Sequence, residues 1–276
     1  MVPISSIAAP SRPSCASATI LSKTSVFLPK EHGSWSLAFE PLALGLLVAP
    51  SVGGSALALA TVAGFFSRRP LKAAFAKASW PSPDASRAAV LLVVCIGAGL
   101  IETAILGGVA ALWPLLSAAP FGGLFLYFDA QGDSRAAAAE LAGCVAFALL
   151  PAAFATLAGW SVTAAFALTA IAVTRSIPTV LTIRTCLRIR KGKNASRSIP
   201  VLASVLGFGA VIFLAAIRQV PWLAVSAAAL LSIRTAWMMT SPGLKWTVKR
   251  VGIAEALLGM VYVALITFAY HAQWCQ

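Results

Sequence analysis

The chain has 276 residues, of which 59% are hydrophobic and 11% charged, and its mean hydropathy is +0.89. A water-soluble domain carries roughly a quarter charged residues, so this composition excludes a soluble globular fold and indicates a polytopic, all-α membrane protein. The formal net charge of +13 would point to nucleic acid in a soluble protein, but here the cations lie where membrane orientation accounts for them.

Residues 1–28 are rich in Ser, Ala and Pro, carry Arg12 and Lys23, and contain no acid. They lack the charged, apolar and cleavage segments of a signal peptide in their usual order, and read as a disordered tail; a targeting peptide or a misplaced start stays open. Residues 29–276 read as one transmembrane helical domain. It opens on Pro29-Lys-Glu-His-Gly-Ser-Trp35, and a helix through this run puts His32, Ser36 and Glu40 at i, i+4 and i+8, a polar stripe on an apolar cylinder.

Windows of about 20 apolar residues predict nine spans, at 34–50, 52–67, 88–106, 109–128, 136–157, 160–182, 199–217, 220–239 and 251–270. The first two are short, and Val52-Gly-Gly54 between them could form a re-entrant turn. With nine spans the cations sort to one side. The tail and the loops after spans 2, 4, 6 and 8 hold eighteen of the 21 Lys and Arg, Arg218 stands alone on the other side, and Arg175 and Arg234 lie within spans. The positive-inside rule then makes the N-terminus cytosolic and the C-terminus external, in the cytoplasmic (inner) membrane.

Each charge near the bilayer centre costs about 2.5–3.5 kcal/mol even on the gentlest scale. Glu40, Glu140, Arg175, Arg234 and Glu255 are expected at one depth toward the cytosolic side, with Glu102 alone toward the other. They form either interhelical ion pairs or a hydrated recess. A recess entered past Glu31 and His32, rimmed by Arg68, Arg69, Lys72 and Arg184 and floored by Arg175 and Arg234, would suit the phosphate or carboxylate head of an amphiphile. His32 and Glu40 are the candidate proton acceptors.

No metal site is expected. Asp129 and Asp133 are the one place where two carboxylates could hold Mg²⁺, and a lone His is a poor ligand set. The five cysteines fall at different depths and read as free thiols, with Cys186 in a basic loop. There is no phosphate-binding glycine loop, dinucleotide fingerprint or nucleophile elbow, and no cofactor is predicted.

The run Pro29 to Trp35 with Pro41, then Phe66-Ser-Arg68-Arg69-Pro70-Leu71, then Arg135 with Glu140 and Gly143, resembles the YwiC-like family of bacterial membrane proteins over about 29–260. That resemblance implies an integral membrane protein and no established activity. A more distant likeness is to UbiA-type prenyltransferases, which have nine helices and a cytosol-facing cavity. It implies a transferase fold, but their Mg²⁺-binding Asp-rich motifs are missing: Arg68-Arg69-Pro70 follows span 2, and the loop after span 6 has no acid. Direct Arg or Lys contact with an anion would have to substitute.

The functional expectation is a lipid-handling protein that binds an anionic amphiphile. A proton-coupled transporter of a small anion and a non-catalytic assembly factor are the competing readings. Membrane lipids are the expected partners, nucleic acid is not, and the sequence fixes no oligomeric state.

Overall fold

The computed structural model describes residues 32–75 and 83–274, with backbone only at 32–34, 72–75, 83–85, 242 and 274. The tail over 1–28 and Glu31 lie outside the described residues. Among those described, every regular element is helical. The first four helices are α1 (His32–Val48), α2 (Val52–Phe75), α3 (Pro83–Gly107) and α4 (Trp113–Ala130), the last preceded by a 3₁₀ turn at Val109–Leu112. Next come α5 (Ala137–Ala148), α6 (Leu150–Leu157) and α7 (Val162–Arg190). The chain closes with α8 (Ser198–Ala216), α9 (Leu223–Met238), the short α10 (Ser241–Leu244) and α11 (Val248–Trp274).

Six segments are long and apolar enough to cross a membrane: Ser86–Gly107, Val109–Ala130, Ala137–Leu157, Val162–Arg190, Ser198–Ala216 and Val248–Gln273. Trp35–Val48 and Leu223–Met238 are apolar but shorter. Large apolar side chains stand exposed along α3 (Val90, Val94, Ile101, Ile105), α4 (Leu116, Leu126) and α8 (Leu202, Leu206, Phe213). Exposure on this scale is costly in water and neutral in acyl chains, so the chain is a multi-pass membrane protein.

With α5 and α6 joined in one span, side-chain contacts identify the two ends of the bundle. At one end Arg68 meets Asp129, Arg184 meets Glu140 and Arg190 donates to the Trp246 carbonyl. At the other, His271 Nε2 lies 3.0 Å from the Leu47 carbonyl, Thr156 donates to the Ala111 carbonyl, and Trp160 packs on Tyr270. The first is the basic end.

The largest core fills the space among α1, α7, α9 and α11 with Leu44, Val48, Leu168, Ile171, Ala227, Leu231 and Ile266. Small residues, alanine and threonine foremost, fill most of the buried positions of α5, α6 and α7, which lets these helices approach closely where lipid supplies no hydrophobic drive.

The sixth predicted span stops too early. Helix α7 runs on to Arg190, so Arg184, Cys186, Arg188 and Arg190 are helical, and Cys186 is buried against the Met238 carbonyl. Basic residues are good helix formers, and no breaker intervenes before Gly192, whose φ of +69° suits a residue without a Cβ. Cys95, Cys144 and Cys186 are free thiols; Cys15 and Cys275 lie outside the described residues.

Candidate functional site

Helix α1 presents two faces, each built from an i, i+4 pair. Trp35 and Phe39 stack with ring centroids 5.6 Å apart and meet Phe65 and Phe66 of α2 edge-on at 5.5–5.7 Å. Ser36 and Glu40 follow one position later, which on a helix is a rotation of about 100°, and Ser36 donates a hydrogen bond to Glu40 Oε1. The aromatic face fixes α1 against α2. That contact turns the Glu40 carboxylate away from α2 and toward α7 and α11.

There it meets Arg175 of α7. Arg175 Nε lies 3.1 Å from Glu40 Oε2, and Nη2 donates to Glu40 Oε1 at 3.3 Å. The same guanidinium donates to Glu255 of α11, from Nη1 to Oε2 at 3.2 Å and from Nη2 to the backbone carbonyl at 3.0 Å. Arg234 of α9 pairs with Glu255 Oε2 from the other side. Thr179 lies one turn beyond Arg175. Its hydroxyl accepts from Arg175 Nη1 at 2.6 Å and from Arg234 Nη2 at 3.2 Å.

Two cations and two anions from four helices therefore form one neutral network. Their side chains are 3% (Arg175), 7% (Glu255), 12% (Arg234) and 17% (Glu40) exposed, so Glu40 lies nearest the edge. Gly259 of α11 makes room for it: a Cβ at that position would overlap the Glu40 carboxylate. Arg175 Nε and Arg234 Nε are buried without an aligned hydrogen-bond acceptor, although the first is within ion-pair distance of Glu40.

Beside the network is a cavity of ≈ 10 Å³, lined by Glu40, Pro41, Leu44, Ala172, Arg175, Ser176, Tyr262 and Val263. That is about the least space one water needs. Toward the far end, Leu44, Val48, Leu168, Ile171, Val263 and Ile266 close-pack, and the Tyr262 hydroxyl donates to the Ile171 carbonyl at 2.9 Å. Glu102 is exposed on α3, a helix that packs chiefly on α2 and takes no part in this core.

The remaining predicted site residues are elsewhere. Arg68 makes a two-pronged pair with Asp129 of α4, Nε to Oδ2 at 3.1 Å and Nη2 to Oδ1 at 2.8 Å, and its guanidinium lies 4.8 Å from the Phe125 ring centroid. It ties the end of α2 to the end of α4 rather than rimming the network. Arg184 pairs with Glu140 at 2.5 Å and donates to the Arg135 carbonyl at 2.8 Å, so Glu140 leaves the shared set to join a partly exposed pair. Arg69 is half-buried next to Arg68. The side chains of His32 and Lys72, like Glu31, lie outside the described residues.

Asp133 is exposed and Asp129 is engaged by Arg68. No group of three or more His, Cys, Asp or Glu side chains that could hold a metal ion occurs among the described residues. The Arg68–Asp129 contact was legible in principle, because an Arg after span 2 and an acid closing span 4 fall on the same side of the bilayer.

Trp35 at the end of the first run and Phe66 are thus brought together by the α1–α2 aromatic contact, and Arg68 joins the same helix to α4. The whole of this region falls within one matched segment. Residues 28–155 match the YwiC-like protein family. No curated protein and no solved structure matches the chain. The YwiC-like segment ends inside α6, short of the 29–260 expected from sequence. It includes Glu40, Arg68, Asp129 and Glu140, while Arg175, Arg184, Arg234 and Glu255 lie beyond it.

Proposed function

We propose that this YwiC-like membrane protein holds the phosphate or carboxylate head of an anionic amphiphile at the Arg175–Arg234 pair, with all nine predicted spans crossing the cytoplasmic membrane and the basic end in the cytosol. The observation that carries the reading is the convergence of two guanidinium groups from separate helices on one point at a single depth. Glu40 and Glu255 occupy their donors. Glu40 is the more exposed carboxylate and the one an incoming head would displace.

No transferase step is assigned. Glu40 is already engaged by Ser36 and Arg175, which weakens it as a proton acceptor, and the UbiA-type likeness rests on topology alone. The transporter reading loses support from the apolar packing between the network and the far end, and from the distance of Glu102 from that core. The non-catalytic reading is favoured by charge balance and by a cavity of one-water size; in it the network only fixes four helices together.

Lipid extraction and mass spectrometry of the purified full chain separate the two. If a head displaces Glu40, the protein retains a phosphorylated or carboxylated amphiphile above its bulk proportion. Retention rises in Glu40→Gln and falls in Arg175→Met, each checked for monodisperse elution. Bulk lipid composition in the native protein and in a folded Glu40→Gln variant would contradict the proposal and leave the assembly role.

A further inference from the structure

We infer that the surface formed by the ends of α7, α8, α9 and α11 is a second binding site, for the headgroup of an anionic phospholipid in the adjoining leaflet. No acidic residue occurs between Glu140 and Glu255. Within that stretch Lys191, Lys193, Arg197, Lys245, Lys249 and Arg250 are all exposed. The other basic contacts at this end, Arg68–Asp129 and Arg184–Glu140, are neutralised by carboxylates. No carboxylate among the described residues compensates this surface.

The fold draws these cations together. Arg190 Nη1 donates to the Trp246 carbonyl at 2.6 Å, and Arg197 Nη1 donates to the Met239 carbonyl at 3.4 Å. The segment between α7 and α8 is thereby laid over the turn between α9 and α11, and each guanidinium keeps further N–H groups for a phosphate.

Their depth identifies the ligand. Trp237, in the last turn of α9, and Trp246, just before α11, pack edge-to-face at 4.9 Å beside the cations, as aromatic side chains do at the headgroup boundary. Further along α8 and α11 from this end, Leu202 and Ile253 stand more than half exposed, where acyl chains cover them. Cations directly above a lipid-facing apolar wall meet lipid phosphates, each cation adding to the attraction of an anionic leaflet. A nucleic acid would need a basic face turned away from the bilayer.

The test uses the full chain in nanodiscs of phosphatidylcholine with a minor share of phosphatidylglycerol, reading the lipid retained after detergent dilution by mass spectrometry. The native protein should retain phosphatidylglycerol above its share. The K191Q/K193Q/K245Q/K249Q variant should lose at least about tenfold of that enrichment, and Arg218→Gln, at the other end, should lose none. The four lysines are exposed and make no side-chain hydrogen bond or ion pair among the described residues, so the variant should elute as the native protein does. Enrichment should persist in Arg175→Met, which separates this surface from the buried network. Native retention that follows the bulk ratio, or a quadruple variant that keeps full enrichment, would overturn the inference. So would displacement of the retained lipid by inorganic phosphate or by an oligonucleotide.

Discussion

Arg175 of α7 ties its helix to α1 and α11. It is 3% exposed and meets two carboxylates, one carbonyl and one hydroxyl on three helices. Removing it leaves Glu40 without a cation in a low-dielectric interior, while Glu255 keeps Arg234, and breaking a buried pair in this way costs about 3–5 kcal/mol. Arg175→Met should therefore lower the unfolding midpoint in detergent far more than Arg234→Met, whose partner Glu255 keeps its bonds to Arg175. Equal losses would place the weight of the network on Arg234 instead. Gly259 makes a sharper test, since Gly259→Val adds apolar volume to an apolar helix and on packing grounds alone would be harmless in lipid. Because its side chain would take the space of the Glu40 carboxylate, the variant should be destabilised by several °C. A midpoint at or above the native value would contradict that contact.

At the scale of elements, the clasp between Arg68 and Asp129 decides how the α2–α3 hairpin sits on the bundle. Asp129 is 8% exposed at its side chain and Arg68 30%, and bidentate charged bonds are the strong ones. Asp129→Asn should cost about 1–3 kcal/mol, against no more than about 1 kcal/mol for the half-exposed Arg184–Glu140 pair, both read from unfolding curves. The reverse order would mean that the hairpin is held by its apolar contacts alone. Much of this was legible in the sequence. Apolar length located the helices, and the i, i+4 rule put Ser36 with Glu40 on one stripe. What spacing could not convey was which acid each arginine takes. Glu40, Glu140 and Glu255 are all candidates at one depth, and Asp129 reads from sequence only as a metal ligand. The choice is made by helix neighbours, which set α4 beside α5 and bring α11 back against α1. The end of α7 was missed for a local reason: a run of basic residues reads as a loop when charge is weighed above helix propensity.

For the whole molecule, the alternation of helices predicts the sidedness of every connection. Single cysteines placed at Lys193 and Lys245 in an otherwise cysteine-free chain should react with a membrane-impermeant thiol reagent from one side only, and those at Gly108, Gly159 and Arg218 from the other. A mixed pattern would mean that a helix between these sites, such as the short α9, does not cross. The account of the site rests on a narrower claim, that charges from four helices form one network. A double-mutant cycle between Glu40→Gln on α1 and Arg175→Met on α7, 135 residues apart, tests it most directly through unfolding free energies in detergent. A coupling of about 1.5–3 kcal/mol is expected for side chains that share a buried ion pair. Single-variant losses that add to within about 0.5 kcal/mol would mean the two groups do not meet, and the site would lose its central contact.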